Sequence, residues 1–189
     1  MAIAQRPDSH PDLMIPQKAP AMNYRAVANP LPLPPGADMG APASSAFDSH
    51  GHHFVLFRGR QAFGEFDTNG KFIRAFGDGL FVRAHGLRID KDDNLWATDV
   101  SSHIVLKLNP SGQILLTLGS KGKPGEWNEA AGSRLLNQPN DLAFAANGDI
   151  FVVQGHSPFS SDGDPRVLKF DRNGKFIKSW GGKGTAPGK

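Results

Sequence analysis

The sequence predicts an all-β fold built from a repeated four-stranded unit. Its apolar residues come in short β-branched or aromatic runs, helical periodicity is scarce, and glycine (22) and proline (15) are abundant among the 189 residues. One turn recurs three times in nearly the same wording: Asp67-Thr68-Asn69-Gly70-Lys71-Phe72-Ile73, Asn109-Pro110-Ser111-Gly112-Gln113-Ile114-Leu115 and Asp171-Arg172-Asn173-Gly174-Lys175-Phe176-Ile177. Asn-Gly and Ser-Gly supply the positive φ that a tight hairpin needs. Recurrence of such a unit marks a repeat architecture.

Residues 1–43 are rich in proline, alanine and small polar residues and end in Leu31-Pro32-Leu33-Pro34-Pro35-Gly36. Proline lacks the ladder donor, so this segment reads as an extended arm, with one edge strand over Tyr24 to Val27. From residue 44 to 189 the pattern is regular. Ser44 to Asp48, His53 to Gly59, Gln61 to Phe66 and Lys71 to Gly77 form a first set of strands. His85 to Asp90, Asn94 to Val100, His103 to Asn109 and Gln113 to Gly119 form a second. Asn140 to Ala145, Asp149 to Gly155, Arg166 to Asp171 and Lys175 to Gly181 form a third.

The turn glycines Gly70, Gly112 and Gly174 lie 42 and then 62 residues apart. A propeller blade runs to roughly 40–50 residues, so the second interval carries insertions, at Gly122 to Leu136 and Ser157 to Asp164. Four antiparallel strands per repeat make a β-propeller blade, and the blades are expected over about 44–77, 85–119 and 140–181. Three blades do not close a ring. The exposed face of the last one is expected to need further blades or self-association to cover it.

A net charge of +3, from scattered lysines and arginines, gives no reason to take nucleic acid as the partner. No apolar run is long enough to span a bilayer. There is no cysteine, which excludes disulfides and thiolate chemistry. Met1 to Asp8 lack the basic start and apolar core of a signal peptide, so the chain as given reads as cytoplasmic unless its true start lies upstream. Asp90, Asp92 and Asn94 mimic the start of an EF-hand loop, but Leu95 stands at its glycine and Ser101 at its glutamate. The glycine- and lysine-rich stretches lack the lysine-hydroxyl pair of a phosphate loop, and there is no nucleophile elbow.

Two readings stand for His85, which opens the second set: a channel residue satisfied by hydrogen bonds, or a metal ligand. His156 is either a channel base or a loop residue, and Arg58 either anchors substrate or satisfies channel carbonyls. His103 reads as structural. His50-Gly51-His52-His53 reads as a solvated hairpin, and Trp96, Phe151 and Trp180 as core between blades.

Several segments together resemble the peptidyl-α-hydroxyglycine α-amidating lyases, a family of NHL-repeat propellers. They are Phe57-Arg58-Gly59, His85-Gly86-Leu87-Arg88-Ile89-Asp90, Asn94-Leu95-Trp96-Ala97-Thr98-Asp99-Val100 with His103, Gln138-Pro139-Asn140-Asp141-Leu142-Ala143, and Gly174-Lys175-Phe176 with Trp180-Gly181. The resemblance implies a six-bladed propeller with about three blades in this chain. It also implies a catalytic zinc (Zn2+) held by three histidines, a structural calcium (Ca2+), and a small-molecule or peptide substrate of the α-hydroxyglycine type. Carried over by position, His85 is a zinc ligand, Arg58 binds substrate oxygen, and the Leu87 and Ser45 carbonyls bind calcium. His156 stands where the family has a catalytic tyrosine. Asn137 and Ser157 stand at a cysteine pair found in many members, and the other two zinc histidines belong to later blades. The implied reaction releases glyoxylate and an amidated product. The alternative is a non-catalytic NHL propeller that serves as a protein- or RNA-binding scaffold.

Overall fold

The structure, a computed structural model, describes residues 25, 27–28, 31–156 and 164–184. The chain divides into two units, Met1–Pro30 and Leu31–Lys189, and the strands among the described residues lie in the second. Tyr24 and Ala26 of the expected strand and most of the Ser157 to Asp164 insertion fall outside the described residues, while Arg25 and Val27 are described and lie in no strand.

Three four-stranded antiparallel sheets follow one another along the chain. Blade 1 is β1 (Pro42–Phe47), β2 (His53–Phe57), β3 (Gln61–Phe66) and β4 (Phe72–Asp78). Blade 2 is β5 (Ala84–Ile89), β6 (Leu95–Asp99), β7 (Ile104–Leu108) and β8 (Ile114–Gly119). A short hairpin, β9 (Trp127–Asn128) and β10 (Ser133–Arg134), precedes blade 3. That blade comprises β11 (Pro139–Phe144), β12 (Ile150–Gln154), β13 (Arg166–Phe170) and β14 (Phe176–Trp180). Each sheet pairs its strands in sequence order, the up-and-down meander of a propeller blade. The first strands converge, with β1 and β11 both packed against β5, so these three line the inner edge.

The repeated turns behave as their residues dictate. Asp67, Asn109 and Asp171 each accept a backbone N–H four residues on, at 2.9 Å, which closes the turn before the fourth strand. Gly70, Gly112 and Gly174 sit at φ +77, +91 and +81, a region costly for residues with a Cβ. A register shift follows at the same place in every blade, at Glu65/Phe66, Lys107/Leu108 and Lys169/Phe170.

Alternating side chains build two layers of core between the blades. Phe54, Leu56 and Phe63 of blade 1 meet Leu87, Leu95, Ala97 and Leu106 of blade 2. Trp96 and Val105 from the other face of blade 2 meet Leu142, Ile150, Val152 and Leu168 of blade 3. The first insertion joins this second layer: Trp127 is buried and packs edge-on against Phe170, with ring centres 4.8 Å apart.

The proline-rich segment is more than an arm from Leu31 onward. Met39, 1% exposed, plugs the free face of blade 1 against Val55, Phe57 and Phe66. Gly64 leaves the slot, since a Cβ there would lie 3.0 Å from the Met39 methyl carbon. Proline cannot supply ladder donors, but it does not prevent an apolar side chain from docking. On the far side, blade 3 leaves Val153, Ile177 and Trp180 exposed. Trp96 is therefore core between blades, Phe151 is half-buried, and Trp180 has no neighbouring blade among the described residues. No helix among the described residues is long and apolar enough to cross a membrane.

Candidate active site at the inner edge

The inner strand of each blade starts with a break in its ladder. Register shifts fall between Pro42 and Ser44, between Ala84 and Leu87, and between Pro139 and Asp141. Such bulges leave residues outside the pairing and redirect their side chains. The residues released this way include His85, Gly86 and Asn140, and they build the site.

Gly86 has its N–H outside the ladder, and the Thr98 hydroxyl accepts it at 2.8 Å. That hydroxyl donates in turn to the Asn140 main-chain oxygen at 2.7 Å, joining blade 2 to blade 3. The same oxygen lies 2.8 Å from His85 Nδ1. A carbonyl only accepts, so Nδ1 carries the hydrogen and Nε2 keeps its lone pair. Metal-binding histidines commonly have this arrangement, with a carbonyl orienting the ring through the other nitrogen. The Asn140 side-chain oxygen holds His156 Nδ1 at 3.0 Å and sets the same tautomer there. One residue thus orients both imidazoles, whose centres lie 4.7 Å apart at a steep angle.

Arg58 leaves the β2–β3 turn and its Nε donates to Ala84 O at 3.2 Å, beside His85. Burial pushes the His156 pKa below its ordinary value, and the neighbouring guanidinium groups of Arg83 and Arg58 push it the same way. Among the described residues neither the Arg58 nor the Arg83 guanidinium forms an ion pair with a carboxylate, so both cations remain beside His156. Asp99, fully buried, fixes the loop ahead of β5 by accepting the N–H groups of Val82, Arg83, Ser101 and Ser102.

The structure gathers His85, His156 and Arg58 at this inner edge. Leu87 lies two residues beyond His85, its side chain fully buried. Ser45 lies on neighbouring β1, paired with Val55 and exposed. His103 is structural in its contacts: its Nδ1 accepts the Gln138 N–H at 3.1 Å, tying blade 2 to the start of blade 3, and burial lowers its pKa. His50 is exposed and His52 pairs with Glu65 at 3.0 Å, as suits a hairpin.

His85 fits a zinc ligand, because its free Nε2 is a neutral nitrogen donor on an oriented ring. It would be one ligand of several, since no group of three or more His, Cys, Asp or Glu among the described residues could hold a metal. Sequence reasoning gave Asn140, Thr98 and Arg83 no role. The hint was that the segments holding Asn140 and Thr98 stood out as wordings, without a chemical reason attached to either residue.

Comparison with known proteins agrees with the resemblance. No family model matches the chain. A probable peptidyl-α-hydroxyglycine α-amidating lyase of Caenorhabditis elegans is 42% identical over 108 residues, 57% of this chain and 28% of the relative. Peptidyl-α-hydroxyglycine α-amidating lyase 1 of Drosophila melanogaster is 36% identical over 117 residues, 60% of this chain and 19% of the relative. NHL repeat-containing protein 3 of Homo sapiens is 27% identical over 127 residues, 59% of this chain and 35% of the relative. The chain therefore spans about a third or less of the curated relatives it matches. Among solved structures, virginiamycin B lyase from Staphylococcus aureus superimposes with a TM-score of 0.55 at 15% identity, covering 77% of this chain and 42% of that one. A Bacteroides thetaiotaomicron protein of unknown function does so with 0.57 at 18% identity, covering 76% and 36%. At such identities the likeness concerns the fold alone. Over roughly 60% of its length, then, this chain is similar in sequence to the peptidyl-α-hydroxyglycine α-amidating lyases, and it folds as consecutive blades of a β-propeller of the NHL type.

Proposed function

We propose that this chain contributes three blades, and one side of the active site, to a six-bladed zinc-dependent lyase acting on peptidyl-α-hydroxyglycine or a similar carbinolamide. The observation that carries the reading is the pair of imidazoles oriented by Asn140, each with Nε2 left open, next to Arg58. The amidating-lyase names of its relatives support it.

The substrate has the form R–CO–NH–CH(OH)–COO⁻. Cleavage removes the hydroxyl proton, turns that C–O into the aldehyde C=O, breaks the C–N bond and delivers a proton to nitrogen. The products are the amide and glyoxylate. His85 would supply one nitrogen to zinc, which when bound polarises the hydroxyl oxygen and stabilises negative charge there. His156, kept neutral by burial and neighbouring positive charge, has the lone pair to take the hydroxyl proton and then return it to nitrogen. The Arg58 guanidinium, anchored on Ala84, suits the substrate carboxylate through its forked donors.

The test is glyoxylate release from an N-acylated α-hydroxyglycine by the zinc-loaded six-bladed assembly. Release is expected, falling by about 10²-fold or more in His156→Ala. Arg58→Ala is expected to raise KM. No release, or release indifferent to both changes, overturns the proposal.

A further inference from the structure

The Leu87 carbonyl, one of the two positions that the resemblance gives to calcium, already carries a cation. Arg88 follows it in β5, and its Nη1 donates to Leu87 O at 2.8 Å. Its Nη2 is paired with the Asp141 carboxylate across the blade 2–blade 3 seam. Asp141 has little left to offer, because its other oxygen accepts the Leu142 N–H at 2.8 Å. Gly86 allows the close approach: a Cβ there would lie 2.8 Å from that same oxygen.

Calcium takes six to eight oxygen ligands at about 2.3–2.6 Å. A calcium ion on Leu87 O would put two positive charges against a tethered guanidinium, or would force Arg88 off both partners. The planar fork of arginine, by contrast, reaches two acceptors at once and neutralises the carboxylate. The residues present therefore do not fit the calcium. We propose that the Arg88 guanidinium takes the place of the structural calcium, so that this chain joins blades 2 and 3 through Leu87 and Asp141 without the ion. The location of the calcium comes from the resemblance; neither the zinc nor the lyase chemistry enters.

The test is thermal unfolding and calcium content of the protein in zinc-free buffer, with EDTA, with calcium chloride, or with magnesium chloride as control. The unfolding midpoint of the unaltered protein is expected to be the same in all three, with no calcium retained. Arg88→Ala is expected to melt ~2–4 °C lower in EDTA and to recover part of that loss with calcium but not magnesium. Arg88→Gln, which keeps the length and removes the charge, repeats the measurement should the alanine variant not fold. Stoichiometric calcium on the unaltered protein with a raised midpoint overturns the proposal. So does an Arg88 variant that melts unchanged, or one that calcium does not rescue. Because zinc is absent throughout, none of these outcomes bears on the lyase reading.

Discussion

Replacing Thr98 by valine keeps the side chain's shape and removes only the hydroxyl. Thr98 is fully buried, and that hydroxyl has two duties: it accepts the Gly86 N–H at 2.8 Å and donates to Asn140 O at 2.7 Å. Asn140 O keeps His85 as a partner, so its loss is partial. Gly86 N–H is the exposed flank of the change, since the bulge between Ala84 and Leu87 gives it no ladder acceptor. A buried donor left unsatisfied costs about 1–3 kcal/mol. With 1 kcal/mol worth roughly 2–4 °C in a domain of this size, a loss near 2 kcal/mol lowers the midpoint by ~4–8 °C. Thr98→Ser keeps the hydroxyl and removes one methyl, about 0.8 kcal/mol. Thermal denaturation followed by circular dichroism compares the three proteins. If Thr98→Val melts at or above Thr98→Ser, the hydroxyl bridge is not what holds the bulge, and the account of how His85 is positioned fails.

Other expectations follow from the same geometry. Asn140→Ala removes the side-chain anchor of His156 but keeps the main-chain oxygen on His85, so nitrogen NMR should show a changed tautomer balance at His156 and an unchanged one at His85. Met39→Ala opens a cavity against Val55, Phe57 and Phe66 and should cost about 2–5 kcal/mol in denaturant unfolding; a loss below 1 kcal/mol would mean that the segment after Leu31 does not dock. His53, His103 and His156 all have pKa values lowered mainly by burial. The unfolded chain then binds more protons than the folded one between those lowered values and about 6.5, so stability should fall as pH drops through that window. A midpoint that rises from pH 7 to pH 5 contradicts the burial of these rings.

Much of the fold was legible because the information is local. Short β-branched and aromatic runs marked the strands, and Gly70, Gly112 and Gly174 marked the hairpins, since strand propensity and positive φ are properties of neighbouring residues. His85 stood out through its wording. The parts played by Asn140 and Thr98 did not, because they lie in hydrogen bonds spanning 55 and 42 residues, formed only once two blades meet. The pairing of Arg88 with Asp141, 53 residues apart, escaped notice for the same reason. Met39 was hidden differently: the proline-rich composition around it spoke of missing ladder donors and said nothing about an apolar side chain finding the slot left by Gly64.

The central claim is that the bulge at the start of β5 presents the open Nε2 of His85 to zinc. Zinc content after equilibrium dialysis of the six-bladed assembly that this chain is proposed to contribute to, read by atomic absorption with His85 intact and with His85→Ala, tests it most directly. Bound zinc that disappears in His85→Ala is the expected result; zinc at background in both, or equal and above background in both, contradicts the account.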